Sequence, residues 1–300
     1  MPKSLVTQPI DTTIDPAIYA LYDEYCHSSM DRREFLAKAS ALTVGGLAMA
    51  QALLPRYAQA QTISFTDERI KPQYVQYPSA GGTSGQMRGY LVQPSQAGPH
   101  PAVLVIHENR GLNPYVEDVA RRLGAAGFLA LAPDGLAPVG GYPGNDEEGT
   151  KLQASLDPQK LLRDMFNSAV FLKNHARSNG RLGAVGFCWG GGVVNYLAAE
   201  MGADLRAGAP YYGAGVDAAK VPQIKAELVI HFAANDPRIN TLWPAYETAL
   251  KTQGTRHTAY QYAATQHGFH NNSTPRYNAE AAELSWTRTL ELFRKTLLPA

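Results

Sequence analysis

The chain has 300 residues, 45% of them hydrophobic, and its 27 Lys and Arg against 26 Asp and Glu leave a formal net charge of +1. Length and balance of this kind fit a soluble globular protein with one sizeable domain plus something extra. A charge so close to zero gives no basis for nucleic-acid binding, which needs a basic footprint.

The extra lies at the front. Asp15-Pro16 opens a segment with Ile18, Leu21, Tyr22 and Tyr25 on one helical face, and Asp31 with Glu34 three residues later forms a start like a capping box. The same stretch carries a competing signature: Arg32-Arg33-Glu34-Phe35-Leu36, an uncharged run from Ala39 to Leu54, and Ala58-Gln59-Ala60 before Gln61. Twin arginines, a modest apolar run and an A-x-A pattern together resemble a bacterial twin-arginine export signal. The run is about 16 residues, short of the roughly 20 that cross a bilayer, so no stable membrane span is expected. Residues 1–61 are therefore read as a leader for the export machinery and the protein as periplasmic; the alternative is a cytoplasmic protein that retains a two-helix arm. After processing only Cys188 would remain, because Cys26 leaves with the leader. An unpaired thiol in an oxidising compartment is best understood as a working group.

From residue 62 to 300 the pattern is α/β. Tyr74–Tyr77 and Gly89–Val92 predict an antiparallel start. Strands at 102–106, 128–132, 182–187, 207–212, 228–233 and 257–262 then alternate with helices at 114–126, 158–176, 191–201, 242–253 and 278–297. The first core strand ends in His107-Glu108-Asn109-Arg110-Gly111-Leu112-Asn113, and Pro114 sits in the first turn of a helix whose Val116, Val119, Ala120 and Leu123 share a face. Val139–Asp157, with Gly140-Gly141-Tyr142-Pro143-Gly144, is the longest irregular stretch and is expected to overhang the site.

The most informative segment is Arg181 to Gly192, an apolar run ending in Gly186-Phe187-Cys188-Trp189-Gly190-Gly191-Gly192 and leading into a helix. Strand, sharp turn and helix with flanking glycines describe the nucleophile elbow of an α/β-hydrolase, here with a thiol in place of the usual hydroxyl. The fold expected is thus a mostly parallel twisted sheet with helices on both faces. Phosphate loops require a lysine or a glycine spacing that this segment lacks. Leu228–Ala234 stops at Asn235-Asp236-Pro237, placing Asp236 at the carboxyl end of a strand, and Gln266-His267-Gly268-Phe269-His270 follows the last strand. Nucleophile, acid and histidine therefore appear in the expected order, with His267 as base, Asp236 as its orienter and His270 as the rival base. His231, inside a strand, is expected to be packed or bonded in the sheet. The oxyanion donors would be the Asn109 and Trp189 amides. Glu108 would point at the thiol, unless it merely pairs with Arg110 on the surface.

These residues resemble the dienelactone hydrolase (carboxymethylenebutenolidase) family from about Ile70 to the C-terminus. The match rests on H-E-N-R-G-L-N-P-Y at 107–115, A-P-D-G-L at 132–136, G-F-C-W-G-G-G at 186–192, N-D at 235–236 and H-G-F-H at 267–270. The resemblance implies a compact α/β-hydrolase with a Cys188, Asp236 and His267 triad and Glu108 paired with the cysteine at rest. Family members acting on carboxylate-bearing lactones keep an arginine shortly after the histidine and another mid-chain. Here Asn271 takes the first place, with Arg276 further on, and the 139–157 stretch offers Lys151 but no arginine. Arginine captures a carboxylate far better than lysine or asparagine. Tyr142, Lys151, Tyr212 and Arg276 are the candidate substrate contacts, with Trp189 and Tyr211 as further lining. The expected activity is hydrolysis of a small-molecule ester or lactone through a thiol acyl-enzyme, which needs no metal or organic cofactor. The alternative is a noncatalytic ligand-binding or thiol redox-sensing protein on the same scaffold.

Overall fold

In the computed structural model the described residues are 15–27, 30, 32–43, 45–46, 49 and 61–298. The expected cleavage pattern Ala58-Gln59-Ala60 and half of the apolar run before it lie outside them. Both expected N-terminal helices are present, α1 (Pro16–His27) and α2 (Arg32–Leu42).

The remaining described chain builds one eight-stranded sheet. Its strands are β1 (Ile70–Ser79), β2 (Gly85–Pro94), β3 (His100–Ile106), β4 (Leu129–Pro133), β5 (Ser178–Phe187), β6 (Leu205–Tyr211), β7 (Glu227–Asn235) and β8 (His257–Gln266). They lie in the order β1-β2-β4-β3-β5-β6-β7-β8. Pairing is antiparallel for β1 with β2 and β2 with β4, and parallel from β4 to β8. The parallel centre must be covered on both faces, and β3 and β4 are accordingly buried at every position.

Alternation along β3 shows how the sheet divides the core. Ala102, Leu104 and Ile106 join a cluster with Leu161, Met165 and Leu172 of helix α5 (Pro158–Lys173) and Val193, Val194 and Leu197 of α6 (Trp189–Met201). Val103 and Val105 face the opposite way, into Val116, Val119 and Leu123 of α3 (Pro114–Ala125) and Leu292 and Phe293 of the C-terminal helix α9 (Ala279–Leu297). The α3 start has the expected proline in its first turn, and the Asn113 side chain caps it by accepting from the Val116 amide at 3.2 Å.

One expectation is corrected. The stretch 139–157 is not irregular throughout, since α4 spans Asp146–Ala154. Its N-cap Asn145 accepts from the Glu148 amide at 2.8 Å, and Asp146, Glu147 and Glu148 place negative charge at the positive end of the helix dipole. The helix has only two buried residues, Gly149 and Gln153, so it shows no apolar periodicity to read.

The turn from β5 to α6 is the tightest point of the sheet. A Cβ on Gly186 would lie 2.2 Å from the Gly190 carbonyl oxygen, and one on Gly190 would lie 2.4 Å and 2.5 Å from the carbonyl oxygens of Ile106 and His107. All these neighbours are backbone and cannot step aside. Gly190→Ala is therefore expected to lower stability by about 2–4 kcal/mol. Gly192→Ala, whose Cβ would meet nothing nearer than 3.7 Å, should be neutral or slightly stabilising in the helix. Urea midpoints of the two variants check this, and equal midpoints would contradict the argument.

Candidate active site

Five loops leave the carboxyl ends of β3, β5, β6, β7 and β8 side by side, and each carries one polar group toward the same edge. In a parallel sheet this edge is where α/β proteins place their ligands. Cys188 follows β5 at the apex of the turn with φ 55° and ψ −115°, a left-handed conformation that a residue with a Cβ rarely adopts. Its amide donates to the Tyr211 carbonyl at 3.0 Å, which ties the apex to the neighbouring strand. A Cβ on Gly191 would lie 2.4 Å from the same Tyr211 oxygen, so the helix leaves the turn against backbone on both sides.

Asp236 follows β7 and serves two partners. One carboxylate oxygen accepts from the Ile239 amide at 3.3 Å, capping the short helix α7 (Pro237–Asn240), and the other lies 2.5 Å from His267 Nδ1. Asn240 donates back to the Ala233 and Ala234 carbonyls, at 2.9 Å and 3.2 Å, and braces that turn. With Nδ1 on a carboxylate, Nε2 is the nitrogen left to face a substrate. A bulge aims His267. Between the paired positions Ala233↔Tyr262 and Asn235↔Gln266, β8 carries two more residues than β7 and Ala264 sits at φ 54°.

Glu108 follows β3 and is buried. Asn271 donates to its Oε2 at 3.1 Å, and Arg110 Nε lies 3.7 Å from the same oxygen. The Asn271 amide can point only one way, because its Oδ1 accepts from both the backbone and the hydroxyl of Ser273. Arg110 continues to Asp146 at 2.7 Å, and Asp146 accepts from the Tyr142 hydroxyl at 2.9 Å. The expected alternative of a surface pair between Glu108 and Arg110 is thus corrected: the two are close, but both are buried. Helix α4 holds this arrangement, since a Cβ on Gly149 would come within 2.4 Å of the Arg110 carbonyl oxygen.

The thiol itself is only 6% exposed. Burial first, and the Glu108 charge second, push it up to about 12, against weaker downward pulls from Arg238, Arg110 and the Trp189 amide. Cys188 is therefore a neutral thiol in the resting site. The Trp189 amide, one expected oxyanion donor, directly follows Cys188, and Asn109, the other, directly follows Glu108 on the β3 loop.

Tyr212 follows β6 with φ 37°, and its ring lies 4.8 Å from that of His267. It is fully buried, its hydroxyl has no hydrogen-bond partner among the described residues, and burial first, with the nearby Glu108 charge second, raises its pKa well above the phenol range. Arg276 packs on the histidine loop, with its Nη2 3.1 Å from where a Cβ on Gly268 would stand. Lys151 is half-exposed on α4 and turns its ammonium to Glu147 at 2.8 Å. His270 accepts or donates at Tyr115, with Nδ1 2.7 Å from the phenol oxygen, and stacks on Phe187 in the core, which lowers its pKa well below the usual value. His231 bonds Tyr262 and Thr289 inside the sheet.

Two participants escape sequence reasoning. His107 Nε2 accepts from the Gly135 amide at 3.2 Å, so the proton sits on Nδ1 and is donated to the Glu108 carbonyl at 2.5 Å. That neutral, buried ring also stacks on Trp189 and so joins the β3 loop to the elbow. Its position as the first residue beyond the strand was the available signal. Arg238, two residues after Asp236, is exposed along its stem, yet its Nη2 lies 3.4 Å from both nitrogens of His267.

Residues 87–297 match the family model described as "Dienelactone hydrolase family", and residues 9–44 match a second one described as "YqhI-like". A 113-residue stretch is 58% identical to the "Putative hydrolase fragment YghX" of Escherichia coli (strain K12), covering 37% of this chain and 96% of that protein. The "Probable 2-oxo-3-(5-oxofuran-2-ylidene)propanoate lactonase" of a Bradyrhizobium species is 32% identical over 232 residues, 71% of this chain and 91% of that one. Among solved structures, dienelactone hydrolase from Anabaena variabilis superposes with a TM-score of 0.59 at 21% identity, covering 76% of this chain and all of that one, a likeness of fold. On the extent of the family match and the identity to a relative covered nearly end to end, the chain belongs to the dienelactone hydrolase family and is a hydrolase of its α/β-hydrolase type.

Proposed function

We propose that the protein hydrolyses a small-molecule ester or lactone through a thioester on Cys188. The observation that carries this reading is the bond of His267 Nδ1 to Asp236 at 2.5 Å, on the same sheet edge as a strained cysteine apex. A carboxylate in that position stabilises the imidazolium that forms when the ring takes a proton. In the proposed cycle the Cys188 proton passes to His267 as sulfur bonds to the substrate carbonyl carbon. The carbonyl oxygen gains the negative charge and is held by the Trp189 and Asn109 amides. As the tetrahedral species collapses, the carbon–oxygen bond to the leaving group breaks and His267 returns its proton to that oxygen. His267 then deprotonates water, which attacks the thioester and releases acid and thiol. The lactonase name of the Bradyrhizobium relative favours a cyclic ester among the candidates.

The neutral thiol bears on the competing reading. A redox-sensing cysteine needs thiolate character and exposure, whereas this sulfur is buried and pushed up to about 12. We also read residues 1–61 as an export leader, tested by sequencing the N-terminus of protein recovered from the periplasm.

Cys188→Ala is expected to fold normally and lose about 10⁴-fold or more in ester or lactone turnover; Asp236→Asn should lose about 10³-fold or more in kcat with KM little changed. Steady-state rates across a lactone and ester panel, with intact-mass detection of an acyl adduct at Cys188, check both. Undiminished turnover in the alanine variant would end the proposal.

The raised thiol pKa gives a second expectation. Alkylation of wild-type Cys188 by iodoacetamide should rise about tenfold per pH unit from pH 8 toward pH 11, because thiolate is the reacting form. Glu108→Gln removes a negative charge that opposes ionisation, so its titration should move to lower pH. A midpoint near 9 in the wild type, or an upward move in the variant, would contradict this account.

A further inference from the structure

The helices α1 and α2 form a cluster of their own, in which Ile18, Leu21, Tyr22, Met30, Phe35 and Ala39 are all buried. Tyr25 stacks on Phe35 with ring centroids 4.7 Å apart, and Tyr22 lies 5.7 Å from the same ring. These two helices of 12 and 11 residues are tied to the rest of the molecule through Tyr22 and Tyr25.

The points of contact lie on both flanks of the catalytic centre. Tyr22 and Tyr25 are three residues apart and so share one face of α1. The Arg276 guanidinium lies over the Tyr22 ring, 4.7 Å from its centroid, and the other side of Arg276 is the Gly268 backbone beside His267. The Tyr25 hydroxyl donates to Glu147 Oε2 at 3.5 Å. Glu147 follows Asp146, the residue that holds Arg110 against Glu108. One helix therefore touches residues on both the histidine side and the glutamate side of the site, whose Cys188 is almost fully enclosed.

We infer that in the chain that retains residues 1–61 the α1–α2 pair is an intramolecular cap on the catalytic mouth, latched by Tyr22 on Arg276 and by Tyr25 on Glu147, and that reagents and substrates reach Cys188 only when it lifts or is removed with the leader. The inference takes over the reading of Cys188 as the working group but does not depend on which ester is cleaved. A cation over an aromatic face, shielded from water, holds more firmly than the same pair in solvent. The small weight of two contacts suits a cap that opens rather than a fixed wall.

The test uses the full chain and site-resolved mass spectrometry of Cys188 after timed alkylation by N-ethylmaleimide at one pH. Tyr22→Ala should raise the Cys188 rate by roughly tenfold, the shift expected from losing a partly desolvated cation–π contact. Tyr22→Phe keeps a ring over Arg276 and should stay near the wild-type rate. An unchanged rate in a folded Tyr22→Ala protein, or an equal rise in the phenylalanine variant, would overturn the cap. Hydrogen exchange on the wild-type chain is the second measurement. Amides in 16–42 should be protected, and exchange at free-peptide rates would overturn the inference even if the alanine variant does not fold. Alkylation needs no turnover, so a chain that cleaves no ester or lactone in the panel would refute the proposed Cys188 chemistry and leave this result readable.

Discussion

The geometry of the Cys188 apex is the constraint on which the rest of the site depends. A left-handed cysteine costs of order 1–3 kcal/mol and persists only where surrounding structure leaves no alternative. Here the surroundings are backbone: Gly186 against Gly190, Gly190 against Ile106 and His107, Gly191 against Tyr211. These approaches lock three strands and one helix into a single turn, so the sulfur stands at a fixed height above the sheet. The loops after β3 and β6 are positioned by the same contacts. The proposed oxyanion donors, the Asn109 and Trp189 amides, the thiol and the Tyr212 ring are thereby set relative to one another before any side chain interaction is counted.

Electrostatics then decide the resting state. A buried carboxylate survives only if paired and hydrogen-bonded, and Glu108 has both, in Asn271 and Arg110. The charge it keeps opposes ionisation of Cys188, while Arg238 and Arg110 favour it less strongly. Where relatives acting on carboxylate-bearing lactones are expected to have arginine, Asn271 supplies a neutral donor. It holds the glutamate without adding a cation, and so leaves more of the negative charge acting on the sulfur. In the proposed cycle, activation of the thiol must then come with the substrate, which can shift Glu108 or draw the proton to His267.

Much of this was legible in the sequence because it depends on local rules. Glycine spacing around Cys188, an aspartate at a strand end and a histidine before Gly268 each report a backbone requirement that a single chain displays. The parallel strands read as continuous apolar runs, and α3 announced itself with Pro114 and its apolar face. What stayed hidden depends on tertiary placement. Helix α4 has too few buried residues to show a period, and its role appears only where Gly149 meets Arg110. The bulge at Ala264 follows from pairing with β7, so no residue pattern in β8 reveals it. His107 and Arg238 adjoin recognised motifs, but their work is done across space, on Gly135 and on His267. Lys151, attractive by charge, turns to a neighbour one helical turn away.

The N-terminal segment illustrates how one stretch can satisfy two sets of rules. A receptor for a twin-arginine signal would read Arg33, Phe35 and the residues after them as an accessible strip. In the folded chain Arg33 is exposed, but Phe35 and Ala39 are buried among Ile18, Tyr22 and Met30. The strip cannot be fully read and fully packed at the same time. Any receptor that binds Phe35 must therefore compete with Tyr22, Tyr25 and the rest of the cluster, and its binding energy is reduced by the cost of lifting both helices. The same lifting uncovers Arg276 and Glu147, on the two sides of the catalytic centre. If residues 1–61 act as the proposed leader and α1–α2 as the proposed cap, recognition of the leader and opening of the site are coupled through one set of side chains, and reciprocity requires that whatever favours the open site also favours recognition.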